Sequence, residues 1–383
     1  MMRRADPTLL VLLALVIAGA AIAWLRTGGW GNPPILAGQS LAETMGPTAD
    51  ADAFARVTGP EPLDFPQDHG AHPDYRTEWW YFTGNLTGED GRDYGFQLTL
   101  FRSALAPRAE DRASDWASRQ AWMGHFAITD IDGGEHRASE RYQRGAVGLA
   151  GADTEPVRVW MDDWVIESHG PAALFPATLK ARAPEKGIAI ELRVDALKPH
   201  VLQGDRGYSQ KGADPANASR YYSYTRLAAD GVIEFDGRRV PARGSAWLDR
   251  EWSTSALDAN QQGWDWFALQ LADGRDVMVY RLRRRDGRTD PHSAGVLVDA
   301  DGRKKRLTAD DFELTPTRYW ESPSTGSRYP VAWTLSLPAA SLALEITARV
   351  DAQEMPTTVR YWEGAVAVAG DAEGVGYLEM TGY

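Results

Sequence analysis

The sequence predicts an all-β protein: two tandem antiparallel barrels behind an N-terminal membrane anchor. Three observations carry that expectation. Seven Asp-Gly pairs punctuate the chain, with the aspartates at 90, 132, 230, 236, 273, 286 and 301. Asp-Gly between apolar alternations marks a tight hairpin, because both central residues of a type I′ turn need positive φ. Apolar residues then recur with a period of two rather than 3.6. Phe96, Leu98 and Leu100 alternate with Gln97, Thr99 and Phe101, and Trp122, Phe126 and Ile128 alternate with Met123 and His125. Finally the chain echoes itself. Trp79-Trp-Tyr-Phe82, Leu86 and Asp90-Gly-Arg-Asp93 match Trp264-Asp-Trp-Phe267, Leu271 and Asp273-Gly-Arg-Asp276, about 185 residues later. Two related barrels explain the echo better than one large one.

The elements follow in order. Arg3 and Arg4 precede Thr8 to Leu25, a run without charge. Eighteen residues at the helical rise span roughly 27 Å, enough for a bilayer core. The leading arginines place the start in the cytoplasm and the body in the periplasm. The alternative is a cleaved signal peptide and a secreted body. Residues 1–26 are therefore read as signal anchor and 27–59 as a flexible tether rich in Gly, Pro, Ala and Asp. Residues 60–240 and 241–383 are read as the two barrels, with the seam near Val240-Pro241. Ala109 to Gln120 is too polar for a strand and is expected as a loop. Glu78-Trp-Trp-Tyr-Phe-Thr83 is read as a strand, with Gly84-Asn85 as the turn after it.

Formal net charge is -12, which excludes a nucleic-acid surface or a polybasic membrane patch. There is no cysteine, so disulfides, thiol nucleophiles and Cys-bound zinc are excluded. Neither Gly-x-Ser-x-Gly nor Gly-x-Gly-x-x-Gly occurs, so neither a hydrolase elbow nor a nucleotide site is signalled. His69 and His72 stand near Asp68 and Asp74 in a loop, but no third histidine is close. They are read as loop-pinning residues; no metal and no cofactor are expected.

The chemical candidates lie in Trp247-Leu-Asp-Arg-Glu251. As a strand this puts Trp247, Asp249 and Glu251 on one face and Leu248, Arg250 and Trp252 on the other. Two carboxylates at i and i+2 on a poorly solvated face cannot both ionise cheaply, so one stays protonated near neutral pH. A neutral carboxylic acid can protonate an isolated carbon–carbon double bond, and indole faces can steady the resulting cation. The competing reading is a salt bridge from these carboxylates to Arg250, Arg243 or another cation. Of the fifteen Trp, most should fill barrel interiors. Trp79, Trp80, Trp247, Trp252, Trp264 and Trp266 are expected to include several that line a cavity for a long apolar ligand. Glu78 and Tyr81 are placed with them.

Asp64-Phe-Pro-Gln-Asp-His-Gly70, His72-Pro73, Glu78-Trp-Trp-Tyr81, Gly244-Ser-Ala-Trp-Leu-Asp-Arg-Glu-Trp252, Gly263-Trp-Asp-Trp-Phe267 and Tyr361-Trp-Glu-Gly364 recur in order. Together they resemble the AttH-like and carotenoid 1,2-hydratase family over roughly residues 60 to 383. The resemblance implies lipocalin-like barrels. It also implies a catalytic aspartate in a Tyr-x-Asp motif, which aligns with Trp247-Leu-Asp249. The hydratases' upstream His-x-Trp pair falls at Arg220-Tyr-Tyr-Ser-Tyr224, without a histidine, which puts the chain in the AttH-like branch and makes Tyr222 and Tyr224 ligand-binding candidates. Two functions remain open from sequence. One is a hydratase-like lyase acting on an isoprenoid or other lipid-like chain through Asp249 and Glu251. The other is a non-catalytic lipid-binding module serving an ABC-type export permease. A purely structural envelope role is a third.

Overall fold

The computed structural model describes residues 53–107, 114–171, 173–255 and 257–383. The anchor expected over residues 8–25 lies outside them. Among the described residues no helix is long and apolar enough to cross a membrane, and helix is confined to short 3-10 turns such as Gln67–His69.

Among the described residues, twenty-three strands form two sheets. In chain order the first sheet contains β1 Thr77–Gly88, β2 Asp93–Ala104, β3 Gln120–Asp130, β4 Glu135–Arg144, β5 Ala150–Thr154, β6 Val157–Met161, β7 Trp164–Ser168, β8 Ala177–Ala183, β9 Ile188–Ala196, β10 Val201–Leu202, β11 Tyr208–Gln210, β12 Ala218–Phe235 and β13 Arg238–Ser253. The second contains β14 Gln261–Leu271, β15 Asp276–Arg284, β16 Ala294–Val298, β17 Lys304–Thr308, β18 Glu313–Glu321, β19 Arg328–Leu337, β20 Leu342–Ala348, β21 Glu354–Met355, β22 Tyr361–Gly370 and β23 Gly374–Met380.

The strand order of the first sheet is β4-β3-β2-β1-β13-β12-β9-β8-β7-β6-β5, and that of the second is β17-β16-β15-β14-β23-β22-β20-β19-β18. In each, the first strand lies beside the last, and the two edge strands are consecutive in sequence. Only residues 145–149 join edge β4 to edge β5, and only 309–312 join β17 to β18. Links this short reach at most about 20 Å, so each sheet has to curl until its edges approach. The curl encloses an apolar core in each. Phe82, Phe96, Leu98, Trp164 and Leu248 fill the first, and Phe267, Val331, Trp333 and Trp362 the second. The sequence echo is thus real topology: β1–β2 and β14–β15 occupy equivalent places.

Several expectations are corrected. Val240-Pro241 is not a seam but part of β13, which pairs with both β1 and β12; the first sheet needs this strand to complete itself, and the chain crosses over only between Ser253 and Gln261. Gly84-Asn85 is not a turn. Both lie inside β1, and a Cβ at Gly84 would sit 2.4 Å from the Phe96 ring, so glycine is there for close packing. Asp230-Gly231 lies within β12, where a Cβ on Gly231 would meet the Glu191 carbonyl at 2.2 Å. The other six Asp-Gly pairs fall between strands as expected. The tether ends sooner than residue 59. Phe54 and Val57 are buried, and the Ala55 N–H donates to the Asp74 carbonyl at 2.9 Å, because two apolar side chains hold this stretch to the body.

Inside the first sheet a charged knot crosses three strands. Glu78 on β1 is wholly buried and accepts from Arg102 on β2 and Arg250 on β13, and from the His72 backbone N–H at 2.9 Å. The Arg250 guanidinium also lies 3.9 Å over the Trp80 ring. Burial alone would raise the Glu78 pKa, but Arg250, His72 and Arg102 together hold it well below the usual carboxylate range. A depressed folded-state pKa contributes stability above the unfolded value near 4.5, and that contribution disappears as pH falls. Glu78→Gln is therefore expected to cost about 3–5 kcal/mol at pH 7, because two buried guanidinium groups lose their anion. Urea unfolding at pH 7 checks this; a loss under about 1 kcal/mol would refute it.

Candidate active site between the two sheets

The two sheets pack through their outer faces. Tyr81, Tyr221 and Trp247 from the first meet Trp266, Tyr280, Ala365 and Tyr377 from the second, while Phe101 and Ala127 meet Met355 and Tyr361. Polar ties pin the contact: Lys198 Nζ to Asp276 at 2.7 Å, Arg226 to the same carboxylate at 2.6 Å, and Arg349 to Asp93 at 2.6 Å.

Within this contact lies a cavity of roughly 650 Å³, its open mouth included. Trp79, Tyr81, Phe101, Tyr221, Asp249 and Glu251 line it from the first sheet, with Lys211 just beyond β11. Trp264, Trp266, Tyr280, Leu282 and Glu379 close it from the second. The cavity thus lies in the gap between the two curled sheets rather than inside either one.

Strand alternation decides which expected residues reach it. Trp79, Tyr81, Asp249, Glu251, Trp264 and Trp266 do. Trp247 stands directly behind, buried, with its ring 6.2 Å from that of Trp266. Glu78, Trp80, Tyr222, Tyr224 and Trp252 do not; they occupy the opposite face of the first sheet. Trp80 stacks on Trp122, and Trp252 stacks 3.8 Å from His72. Tyr222 bonds His69 Nδ1 at 2.7 Å, and Tyr224 packs edge-on to Phe175. His72 is held by Asp68 at 2.9 Å and by Glu78 at 3.2 Å, so this pair pins the entry to β1. Arg250, one suggested partner for the carboxylates, faces inward to Glu78.

Asp249 is held by donors on three sides. Trp247 Nε1 donates to Oδ1 at 2.7 Å, Ser223 Oγ donates to the same oxygen, and the Tyr221 hydroxyl donates to Oδ2. Trp266 Nε1 in turn donates to the Tyr221 oxygen at 3.2 Å. Burial pushes the Asp249 carboxyl up to about 7; the three hydrogen bonds oppose this, and the charge of Glu251 adds to it. Glu251 accepts from Ser219 and is paired with Lys211 at 3.3 Å. The Lys211 ammonium lies 4.1 Å from the Tyr280 ring centre. Burial acts to lower its pKa, but Glu251 and Tyr280 together outweigh that, and the net shift is upward. The two carboxyls therefore divide as the alternation implies: Glu251 has the salt bridge, through a lysine absent from the sequence reading, and Asp249 has none.

Two further acids complete the cluster. Glu379 receives Trp264 Nε1 at 2.6 Å, and burial raises it to about 7 against that bond. Glu363 is fully buried and accepts the Tyr81 hydroxyl. Both acids, with Lys211, Ser223 and Tyr221, escaped sequence reasoning. A signal existed in the blocks Tyr361-Trp-Glu-Gly364 and Gly376-Tyr-Leu-Glu379, each of which sets an acid among aromatic residues on a strand.

Two curled sheets with an acid-bearing aromatic cavity between them define a double-barrel class, and within it the chain belongs to the AttH-like family, which it matches over residues 56–383. An AttH protein of known structure from Nitrosomonas europaea is 35% identical and superposes with a TM-score of 0.77 over 86% of this chain and 99% of that one. Kievitone hydratase from Nectria haematococca shares the fold, with a TM-score of 0.64 at 14% identity, over 86% of this chain and 95% of that one. Among relatives by sequence, the acyclic carotenoid 1,2-hydratase of Rubrivivax gelatinosus is 26% identical over 63% of this chain. Dehydratase asqC of Emericella nidulans is 22% identical over 53% of this chain. The matches span 56% and 61% of those two proteins. The relatives that carry activity names are thus hydratases and dehydratases.

Lys211→Met is expected to cost about 3–5 kcal/mol at pH 7, because it leaves the buried Glu251 carboxylate without its cation. Urea unfolding of variant and parent tests this; a loss under about 1 kcal/mol would mean that Glu251 does not depend on Lys211.

Proposed function

We propose that the chain is a hydratase-type lyase that protonates an isolated carbon–carbon double bond of an apolar, isoprenoid- or polyene-like substrate in the inter-sheet cavity. The observation that carries this is Asp249: a carboxyl lining an aromatic cavity, pushed up to about 7 by burial, with no cation beside it.

The chemistry follows from the geometry. Asp249 delivers its proton to one alkene carbon, and positive charge develops on the other. Trp79, Trp264 and Trp266 present ring systems toward that charge, and a cation against an aromatic face is stabilised by about 0.5–2 kcal/mol per ring. Trp247, Ser223 and Tyr221 then hold the Asp249 carboxylate left behind. Water adds to the cation to give an alcohol, and the reverse sequence is dehydration. We further propose, on the apolar run at residues 8–25 alone, that the body is tethered on the periplasmic face of the inner membrane. An apolar substrate fits that placement, as would delivery to an export permease.

Asp249→Asn decides between catalyst and carrier. The amide keeps its oxygen toward Trp247 and Ser223 and its NH2 toward Tyr221, so fold and ligand binding are expected to persist. Turnover of an acyclic carotenoid or related alkene should fall by about 10²–10⁴-fold, since the amide cannot give a proton to carbon. In the parent, the rate should decline as pH rises through about 7, as Asp249 loses its proton. Undiminished turnover in the variant would end the proton-donor assignment. A parent that binds alkenes but never hydrates them would leave the carrier function.

A further inference from the structure

We propose that Glu363 and Glu379 form a proton-sharing carboxyl dyad that serves as the second acid–base group of the cavity, receiving the proton of the water that adds to the substrate. This rests on the hydratase reading above and extends it to residues outside the Asp249 strand.

The placement comes first. β22 and β23 are antiparallel, with Glu363 directly opposite Glu379. Side chains opposed in this way project from the same face with Cβ atoms about 4.5–5.5 Å apart. Glu363 is 0% and Glu379 8% exposed. Among the described residues neither has an arginine or lysine partner, and Lys211 in the cavity wall is engaged by Glu251. Two buried carboxylates this close cannot both stay ionised.

The hydrogen bonds leave room for one proton. Tyr81 donates to Glu363 Oε1, and Trp264 donates to Glu379 Oε1. Glu363 Oε2 is buried and receives no donor. A buried acceptor without a donor is costly, since it has given up its bond to water for nothing. A proton held between the facing carboxyls supplies that donor and removes the repulsion. Glu363, the deeper member, keeps its proton far above the usual range through burial and the charge of Glu379, while Glu379 titrates near 7. The other ionisable groups facing the pair are the hydroxyls of Tyr81, Tyr361 and Tyr377 and, across the cavity, Asp249 and Glu251. Only Glu379 lines the cavity, so it is the member that meets water.

The proton balance then closes. Asp249 gives a proton to carbon, and the π bond breaks to form a C–H bond and a cation. The oxygen of water bonds to that cation, and its proton passes to the singly protonated dyad, which now holds two. After the alcohol leaves, one proton returns to Asp249 through water. No oxidant, reductant or net charge change is needed. Dehydration runs the same steps backwards, with the dyad as the donor to the departing hydroxyl.

The test uses the full chain, Glu379→Gln, Glu363→Gln and Glu379→Asp, with Asp249→Asn as reference. In Glu379→Gln, hydration of an acyclic carotenoid should fall by about 10²–10³-fold in kcat with KM little changed. In D2O this variant should still place deuterium in the recovered alkene, because Asp249 continues to protonate carbon, whereas Asp249→Asn should not. Glu379→Asp should recover part of the rate. Glu363→Gln offers Glu379 an N–H donor, so it should shift the acid limb of the pH–rate profile to lower pH, a change that a purely packing role would not produce. Without any substrate, infrared spectra of the parent at pH 9 should retain a protonated-carboxyl band that Glu363→Gln loses and that Glu379→Gln shifts in frequency. Wild-type hydration by Glu379→Gln, or no such band in the parent, overturns the dyad while leaving Asp249 as donor. A band with no hydration of any alkene by the parent overturns the hydratase reading, and the dyad's catalytic role with it.

Discussion

The buried contact of Glu78 with Arg102 and Arg250 is the constraint on which the site depends. Burying a carboxylate is tolerable only against a cation, and that requirement fixes which way β1 and β13 face. Arg250 has to turn inward to meet Glu78. Side chains on a strand alternate, so Asp249 and Glu251 have to turn outward toward the second sheet. A register slip of one residue would strand the inner charges and push the outer carboxyls into an apolar core. The ion pair is remote from the cavity, yet it sets the orientation of every acid that β13 contributes.

The outer face inverts that logic. Around Glu78 two arginines answer one carboxylate; around the cavity one lysine faces Asp249, Glu251, Glu363 and Glu379. Where cations are scarce and indoles plentiful, neutralisation by a proton costs less than ionisation. For Asp249, the rise from 3.8 to about 7 corresponds to a preference for the protonated form on the order of 4 kcal/mol relative to water. The same side-chain type is thus a fixed charge on one face of the sheet and a group that gains and loses its proton near neutral pH on the other, and the difference is one of neighbours.

Much of this was legible from residue order. The period-two pattern, the Asp-Gly turns and the echo between Trp79-Trp-Tyr-Phe82 and Trp264-Asp-Trp-Phe267 give the all-β class and its duplication. Alternation along Trp247 to Trp252 places Asp249 and Glu251 on one face. What alternation within a strand cannot give is which strand lies opposite. Lys211 follows a three-residue strand and reaches Glu251 only through the fold of that loop. Glu379 and Glu363 meet Asp249 only because the two sheets touch along their outer faces. The same limit kept Trp80, Trp252, Tyr222 and Tyr224 grouped with the cavity wall: aromatic clustering in sequence does not say which face of a strand turns to the cavity. The misplaced seam has a related cause. The closing strand of each sheet begins like a new run but pairs back to the first strand.

Both curled sheets fill their own interiors with side chains, and the cavity with its acids sits in the space left between them. The cavity wall and the two cores therefore draw on separate sets of contacts. A lipocalin-type interior used for ligand binding trades core packing for volume with each change of substrate. A cleft between two finished cores escapes that trade. Residues on facing outer surfaces can be exchanged, and the gap widened or narrowed, while the hydrophobic interiors remain as they are. The second sheet thus supplies a second wall along with its own core, and the lining of the gap can change at little risk to stability.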